Sequence, residues 1–148
     1  LMILQLTPNT HPILHERVKK RSYDLNRTEL SKILYENMVH YNGVGLSANQ
    51  IGINERVFIM VKDLEYNEII TCFNPRIVKQ SSKTVVMEEG CLSYPDKFVE
   101  VERSETVIVK YEDENKVDHK IKLEGFAARV FLHEFDHMQG INFTQRVR

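Results

Sequence analysis

The spacing of hydrophobic and polar positions changes along the chain, and these changes outline its elements. The first 25 residues show no helical or strand period, and we interpret them as an extended arm that packs locally. From Asn26 the apolar residues recur at helical spacing, and Asn26 and Glu29 have the spacing of a capping box. Gly43 is predicted to end this first helix as its C′ residue.

The middle of the chain is predicted to be sheet. Short β-branched or aromatic runs predict strands at 56–61, 69–74, 76–79 and 83–88. Residues 106–112 and 117–123 flank the polar stretch DENK, and the alternation in the second run is typical of a hairpin with one buried face. A helical period returns at Glu124 and ends at Gly140. This order of elements predicts an α+β fold with mixed or antiparallel sheets packed around a central helix.

Length and composition narrow the class of protein. A chain of 148 residues can bury a sizeable core, and we expect residues 1–148 to form a single domain. The 20 Lys and Arg residues are balanced by 21 Asp and Glu residues, so no general attraction to nucleic acid or to an anionic membrane is expected. The sequence shows no long apolar run and no signal-peptide pattern, and its two cysteines fit a reducing cytoplasm.

The second predicted helix places two histidines on a buried face. Four residues share that face at offsets of 0, 4, 7 and 11: Phe126, Val130, His133 and His137. HEFDH therefore brings two imidazoles one turn apart, within reach of a single ion, and Glu134 beside them is placed to take a proton from a metal-bound water. A buried histidine can instead be only a hydrogen-bonded core residue, but the full HExxH spacing favours a metal site.

Two imidazoles do not complete a catalytic metal site, because such sites normally have three protein ligands. Residues 138–148 contain no His, Cys, Asp or Glu, and Phe143 stands where some HExxH proteins carry a third histidine. The third ligand is therefore expected upstream, where the candidates are a carboxylate or Cys72, Cys91, His11, His15, His40 and His119. Cys91 is favoured because it lies between Gly90 and a polar turn, whereas the apolar neighbours of Cys72 are typical of a core residue. His119 is interpreted as a satisfied core histidine, and the other three as surface residues.

Three stretches together resemble the peptide deformylase family. They are GVGLSANQ at 43–50, EEGCLSYP at 88–95 and HEFDHMQG at 133–140, which follow the family's GxGLAAxQ, EGCLS and HExDHxxG patterns in order. The resemblance implies removal of the formyl group from the N-terminal formylmethionine of nascent polypeptides, with release of formate. It also implies one divalent metal ion bound by Cys91, His133 and His137. Fe²⁺ is expected, and Zn²⁺, Ni²⁺ or Co²⁺ can occupy such a site.

The resemblance also assigns the remaining roles. Glu134 is the general base and acid that takes a proton from the attacking water and delivers it to the leaving amine. The side-chain amide of Gln50 and the backbone N–H of Leu92 are the expected oxyanion donors. Five residues are expected to contact the substrate, with Gly45 using its bare backbone as a strand would: Val44, Gly45, Met87, Phe126 and Val130. Ordinary core packing is the alternative for the apolar members of this set.

The sequence departs from the family pattern in three places. Ser47 replaces an alanine, a small change that is not expected to move Gln50. Phe98 stands where a basic residue is common, so the grip on the substrate backbone is expected to differ. The sequence stops eleven residues after His137, without the C-terminal helix of many members, so ribosome docking through that helix is not expected. We expect a monomer acting on formylmethionyl peptides. The alternatives are another metallopeptidase or amidase, and a non-catalytic metal-binding domain, which would need neither Glu134 nor Gln50.

Overall fold

The secondary structure can be described for residues 1–19, 22 and 24–147 in the computed structural model, and this part of the chain forms two α-helices and seven strands. The helices are α1 (Arg27–His40) and α2 (Gly125–Met138). The strands are β1 (Gly45–Ser47), β2 (Val57–Asp63), β3 (Glu68–Gln80), β4 (Thr84–Cys91), β5 (Tyr94–Ser104), β6 (Thr106–Glu112) and β7 (Asp118–Glu124). Short 3₁₀ turns occur at Pro12–Leu14, Ala48–Ile51 and Phe143–Arg146. Neither described helix is long and apolar enough to cross a membrane.

The strands form two sheets. Five of them pair in the order β1-β2-β3-β6-β7, and β4 and β5 form a separate two-stranded sheet. All described strand pairs are antiparallel, which confirms the predicted α+β class and selects the antiparallel alternative for the described residues.

The helices cover opposite faces of the five-stranded sheet. Alternate side chains of a strand point to opposite faces, so Phe58 and Met60 of β2 enter one apolar cluster while Val57 and Ile59 enter another. The first cluster contains the apolar residues of α2, and the second contains those of α1. The ring of Phe131 in α2 packs edge-on against Phe58, with the two centroids 5.1 Å apart. The helix that carries HEFDH is therefore fixed to the centre of the sheet.

The first helix begins as predicted and ends one residue earlier. The side chain of Asn26 accepts a hydrogen bond from the backbone N–H of Glu29, at 3.0 Å. The C′ residue, however, is Asn42, which has a φ of 57°, and the predicted assignment of Gly43 is wrong. Asparagine tolerates the left-handed conformation, and the N–H of Gly43 then donates to the carbonyl of Met38, at 2.9 Å. Gly43 instead leaves space for Leu92, whose Cδ1 would lie 2.9 Å from a Cβ at position 43.

The N-terminal arm is extended, but its contacts are not local as predicted. The backbone N–H of Leu4 donates to the side-chain oxygen of Asn37 in α1, at 2.7 Å. The backbone N–H of Thr7 donates to the carbonyl of Gln50, also at 2.7 Å. The acceptors of these two hydrogen bonds lie more than 30 residues away in the sequence. Such contacts satisfy backbone N–H groups, and the spacing of apolar residues cannot predict them. The arm therefore supports the segment that carries Gln50.

The predicted strands are present, but the short strand β1 was not predicted, and two further features differ from the prediction. The runs at 69–74 and 76–79 belong to one strand, β3, which continues through Pro75 at a break in its pairing with β6. A proline can occupy such a break because no ladder hydrogen bond is required there. β5 was not predicted at all, although it pairs with β4 along most of its length. Its outward positions are largely exposed, so the sequence lacks the apolar alternation that indicates a strand.

Candidate metal centre

Two elements bring together three side chains that could hold a metal ion. Cys91 is the last residue of β4, and His133 and His137 lie one turn apart on α2. Their ligand atoms all lie within 4.8 Å of one another, and Sγ of Cys91 is 3.4 Å from Nε2 of His137. A thiolate with two imidazoles is a donor set that suits zinc or ferrous iron, and it leaves one position of a tetrahedral site for water or substrate. The three residues therefore fit a divalent metal ion.

Glu89 fixes the orientation of the His133 ring through the nitrogen that faces away from the ligand group. Nδ1 of His133 lies 2.9 Å from Oε1 of Glu89, which leaves Nε2 to face the ligand group. Burial alone would lower the pKa of His133, but hydrogen bonds to Cys91 and Glu89 outweigh it and raise that pKa to about 10. Burial lowers the pKa of His137 well below its usual value. Imidazole binds a metal ion in its neutral form, so the two rings would be deprotonated at their ligating nitrogens with an ion bound.

Glu89 is held ionised by a buried ion network. Arg103 donates two hydrogen bonds to it, at 2.6 and 3.0 Å, and Arg129 donates a third at 2.5 Å. Burial alone would raise the pKa of Glu89, but the bonds from His133 and Arg103 outweigh it and lower that pKa to about 2. A carboxylate without such partners would be too costly to bury. Glu89 was not predicted as a site residue, and its position directly before Gly90 and Cys91 is the signal that the sequence offers.

The network continues into the C-terminal turn. Arg103 also donates to Asp136 of α2, at 2.9 Å, and Arg146 donates to the other oxygen of Asp136, at 3.0 Å. The ring of Phe143 is only 1% exposed, and its centroid lies 5.8 Å from that of His133. Phe143 therefore packs against a ligand, in the position where other HExxH proteins carry a third histidine. Five side chains link the turn to the ligand group: Arg146, Asp136, Arg103, Glu89 and His133.

Glu134 is a buried carboxylate directed at the same site. It is 4% exposed, and burial raises its pKa to about 7. Its Oε1 has no hydrogen-bond partner among the described residues, which is a costly state unless a ligand or water satisfies the atom. A Cβ at position 45 would lie 2.7 Å from its Oε2. The absent side chain of Gly45 therefore makes room for Glu134, a role that the sequence did not reveal, while contact of Gly45 with substrate stays a prediction.

Gln50 is fixed in orientation by the residues of its own turn. Its side-chain oxygen accepts hydrogen bonds from the backbone N–H and the hydroxyl of Ser47, both at 3.0 Å. Its Nε2 consequently faces the ligand group, 3.5 Å from Sγ of Cys91, and donates to the hydroxyl of Ser93 at 3.1 Å. Leu92 follows Cys91 directly and lines the cleft. The substitution at Ser47 thus adds a contact to Gln50 and does not displace it.

The site opens into a cleft of about 590 Å³. The five residues expected to contact substrate all line this cleft: Val44, Gly45, Met87, Phe126 and Val130. Gln50, Cys91, Leu92, His133 and Glu134 line it as well. Val130 is buried, whereas the side chains of Val44 and Met87 are 42% and 45% exposed. Apolar groups left open on the wall of a cleft are typical of a binding surface, and simple core packing does not explain them.

The other candidate ligands lie elsewhere. Cys72 is fully buried in the apolar cluster beneath α2, as predicted. His11, His15 and His40 are exposed. The ring of His119 stacks on Tyr111 with centroids 4.9 Å apart, and its Nε2 lies 2.8 Å from Asp113. His119 is therefore satisfied as predicted, although it is only half-buried.

The fold and the sequence both match one family. Residues 3–148 match the polypeptide deformylase family. The peptide deformylase of Thermotoga maritima is 43% identical over 137 residues, which cover 92% of this chain and 82% of that protein. The peptide deformylase of Halothermothrix orenii is 37% identical over 147 residues, covering 98% and 94%.

Solved structures give the same result. The crystal structure of the Thermotoga maritima enzyme matches with a TM-score of 0.93 at 39% identity, covering 100% of this chain and 99% of that chain. A class I type b peptide deformylase from Acinetobacter baumannii, solved with Met-Ala-Ser bound, matches with a TM-score of 0.90 at 32% identity and covers 99% of each chain. The chain therefore belongs to the polypeptide deformylase family of hydrolytic enzymes.

Proposed function

We propose that this protein hydrolyses the formyl group from the N-terminal formylmethionine of nascent polypeptides and releases formate. The family supports deformylation of nascent peptides in general. The observation that carries the specific proposal is the position of Glu134, which is buried without a partner for Oε1 among the described residues and shares a cleft with Cys91 and His133. A structural metal site would not need a free carboxylate beside its ligands.

Cys91, His133 and His137 are proposed to hold one divalent ion. Fe²⁺ is the proposed native ion, and Zn²⁺, Ni²⁺ or Co²⁺ suit the same donors. Such an ion supplies a Lewis acid and acidifies a bound water toward neutral pH. The thiolate of Cys91 adds negative charge and softness to the donor set, and Glu89 keeps the ring of His133 in its ligating orientation. These contacts support the assignment of all three ligands.

Glu134 is proposed to move the proton. A carboxyl group with a pKa of about 7 is matched to general base and acid catalysis near neutral pH. In its ionised form Glu134 takes a proton at Oε1 from the attacking water, and in its protonated form it delivers that proton to the departing amine. Its burial excludes bulk water from this exchange, and the space left by Gly45 permits its close approach to the cleft.

Two donors are proposed to stabilise the oxyanion that forms on the formyl oxygen. The amide of Gln50 is preoriented, because Ser47 binds the opposite end of the side chain at 3.0 Å. The backbone N–H of Leu92 is placed by the turn that follows Cys91. Donors that are fixed before the reaction need no reorganisation when the negative charge develops, which is why they accelerate acyl transfer.

The cleft supports formylmethionyl peptides as substrates. Val130 and Phe126 form an apolar wall on α2 next to His133, and Met87 and Val44 lie around its opening. We propose that the methionine side chain packs against these four residues while the formyl group lies at the ligand group. The tripeptide Met-Ala-Ser bound to the Acinetobacter baumannii relative has the sequence of a deformylated product. Residues 1–148 are proposed to act as one catalytic domain.

An assay that compares two blocked peptides tests the proposal. Anaerobically purified, Fe²⁺-loaded protein is incubated with formyl-Met-Ala-Ser and, in parallel, with acetyl-Met-Ala-Ser. We expect formate and free Met-Ala-Ser from the first peptide and no acetate from the second, because the methyl group of an acetyl carbonyl needs space beside the ligand group that a formyl hydrogen does not need. Absence of formate with metal bound would contradict the proposal, and cleavage between residues of the peptide would support the metallopeptidase alternative.

A further inference from the structure

An exposed aromatic ring lies at the mouth of the cleft and has no role in the proposed chemistry. Phe98 lines the same cleft as Cys91 and Glu134, yet its side chain is 64% exposed. Met87, on the neighbouring strand, is also nearly half exposed. Large apolar side chains that remain in water beside a binding cleft gain free energy when a ligand covers them. Phe98 and Met87 form the rim of the cleft, and this rim is suited to contact an apolar group of a ligand.

The ring of Phe98 is held in place by the strand beside it. Phe98 in β5 pairs with Gly90 in β4, the residue that precedes Cys91. A Cβ at position 90 would lie 2.6 Å from Cε1 and 2.8 Å from Cδ1 of Phe98, so the ring rests directly on the glycine backbone. Any other residue at position 90 would displace it. Gly90 thus fixes an aromatic surface close to the ligand group.

The position of Phe98 indicates which residue of the substrate it can contact. Gly90 is one strand residue, about 3.3 Å, from the ligand Cys91. If the formyl group lies at the ligands and the methionine side chain lies against Val130, the next side chain of an extended peptide is the first that can reach Phe98. The exposed charged residues that line the cleft are Glu88 and Asp96, both acidic, while Lys97, which precedes Phe98, lies outside the lining residues. This surface attracts apolar groups and repels carboxylates.

We propose that Phe98 is a specificity-determining residue, which favours an apolar side chain directly after formylmethionine over a small polar or acidic one. The inference rests on the proposed function, since it concerns the substrate of the same cleft. Partial burial of a leucine side chain against the ring is expected to raise kcat/KM about 3- to 10-fold over serine. The preference is expected in KM, because the ring contacts the peptide away from the bond that is broken.

The test compares peptides that differ at one position. Formate release is measured from formyl-Met-Leu-Ser, formyl-Met-Ser-Ser and formyl-Met-Asp-Ser by the wild type, Phe98→Ser, Phe98→Leu and Phe98→Arg. Phe98→Ser should reduce the Leu/Ser ratio of kcat/KM to about 1, while Phe98→Leu should keep most of it. Phe98→Arg should raise the rate on the aspartate peptide relative to the serine peptide. Tyr66→Ser is the matched control, because Tyr66 is 76% exposed and lies outside the residues lining the cleft.

The outcomes separate this inference from the proposed function. A Leu/Ser ratio that is unchanged in Phe98→Ser would overturn the inference, and so would an equal loss of kcat/KM on all three peptides, which indicates a merely structural role. In both cases continued formate release would leave the proposed function intact. No formate from any formyl peptide with the wild type would overturn both. A ratio that falls in Phe98→Ser, persists in Tyr66→Ser and shifts toward aspartate in Phe98→Arg would support the inference.

Discussion

The two cysteines show how surroundings assign opposite roles to one residue type. Cys72 is fully buried among apolar side chains, and burial raises the pKa of its thiol well above the usual value. Cys91 lies at the end of β4, half-buried, with its sulfur 3.4 Å from Nε2 of His137. A thiol enclosed in an apolar core is inert, whereas a thiol that faces a cleft beside two imidazoles is placed to bind a metal ion.

Thiol alkylation should therefore report the state of the site. The metal-loaded protein is expected to react at neither cysteine, because the ion protects Cys91 and the core protects Cys72. After chelation one thiol should react, and after denaturation both should react. Mass spectrometry of the labelled peptides measures this pattern. Equal labelling of Cys91 with and without metal would show that Cys91 is not a ligand.

The candidate site could be predicted only where local spacing determines it. His133, Glu134 and His137 follow from helical periodicity, and the lack of His, Cys, Asp or Glu in residues 138–148 directs attention to Cys91. Glu89 could not be found in this way. Its carboxylate reaches His133 only because β4 pairs with β5 in the observed register and because that hairpin lies against α2. Residues that orient a ligand depend on tertiary contacts, which a single sequence does not display.

At the scale of elements, capping residues predicted the start of α1 and the end of α2 and missed the end of α1 by one residue, whereas the largely exposed strand β5 was not predicted. α2 ends before Gly140 as expected, since Gly140 has a φ of 73° and the N–H of Ile141 donates to the carbonyl of Asp136. The hairpin of β6 and β7 was also predicted, because one of its faces is buried in the core. β5 has mostly exposed positions and was missed. Hydrophobic period reports burial, and a strand without a buried face leaves no such signal.

Gly125 and Gly140 lie at the two ends of α2. Substituting each by alanine separates two contributions to the free energy of unfolding: the strain of a left-handed backbone and the steric clash of an added Cβ. Gly125 and Gly140 both have positive φ, at 59° and 73°. A Cβ at position 125 would meet nothing within 4 Å, whereas one at position 140 would lie 2.6 to 2.8 Å from backbone atoms of Glu16. Gly125→Ala should therefore cost about 1–2 kcal/mol in the free energy of unfolding, from the left-handed conformation alone.

Gly140→Ala should cost about 1–3 kcal/mol more than Gly125→Ala, because the N-terminal arm must also move away from the end of α2. Urea unfolding of the metal-loaded variants measures both values. Equal losses of stability in the two variants would mean that the arm does not pack against Gly140 in solution.

At the scale of the whole molecule, the site is assembled from parts that are distant in sequence. The N-terminal arm binds the turn that carries Gln50, β4 supplies Cys91, and α2 supplies the two histidines. The C-terminal turn joins them through Arg146 and Asp136. Because the proposed ion would join β4 to α2, metal binding is expected to stabilise the entire fold as well as the site.

The central claim is that Glu134 acts on the substrate beside a metal ion held by Cys91, His133 and His137. Formate release per bound metal ion, compared between the wild type and Glu134→Gln, tests this claim most directly. The variant is expected to bind one ion per chain, as the wild type does, because its ligands are unchanged. Its kcat should fall about 10²- to 10⁴-fold, because glutamine cannot accept the proton. Turnover that persists in a fully metal-loaded Glu134→Gln variant would contradict the account.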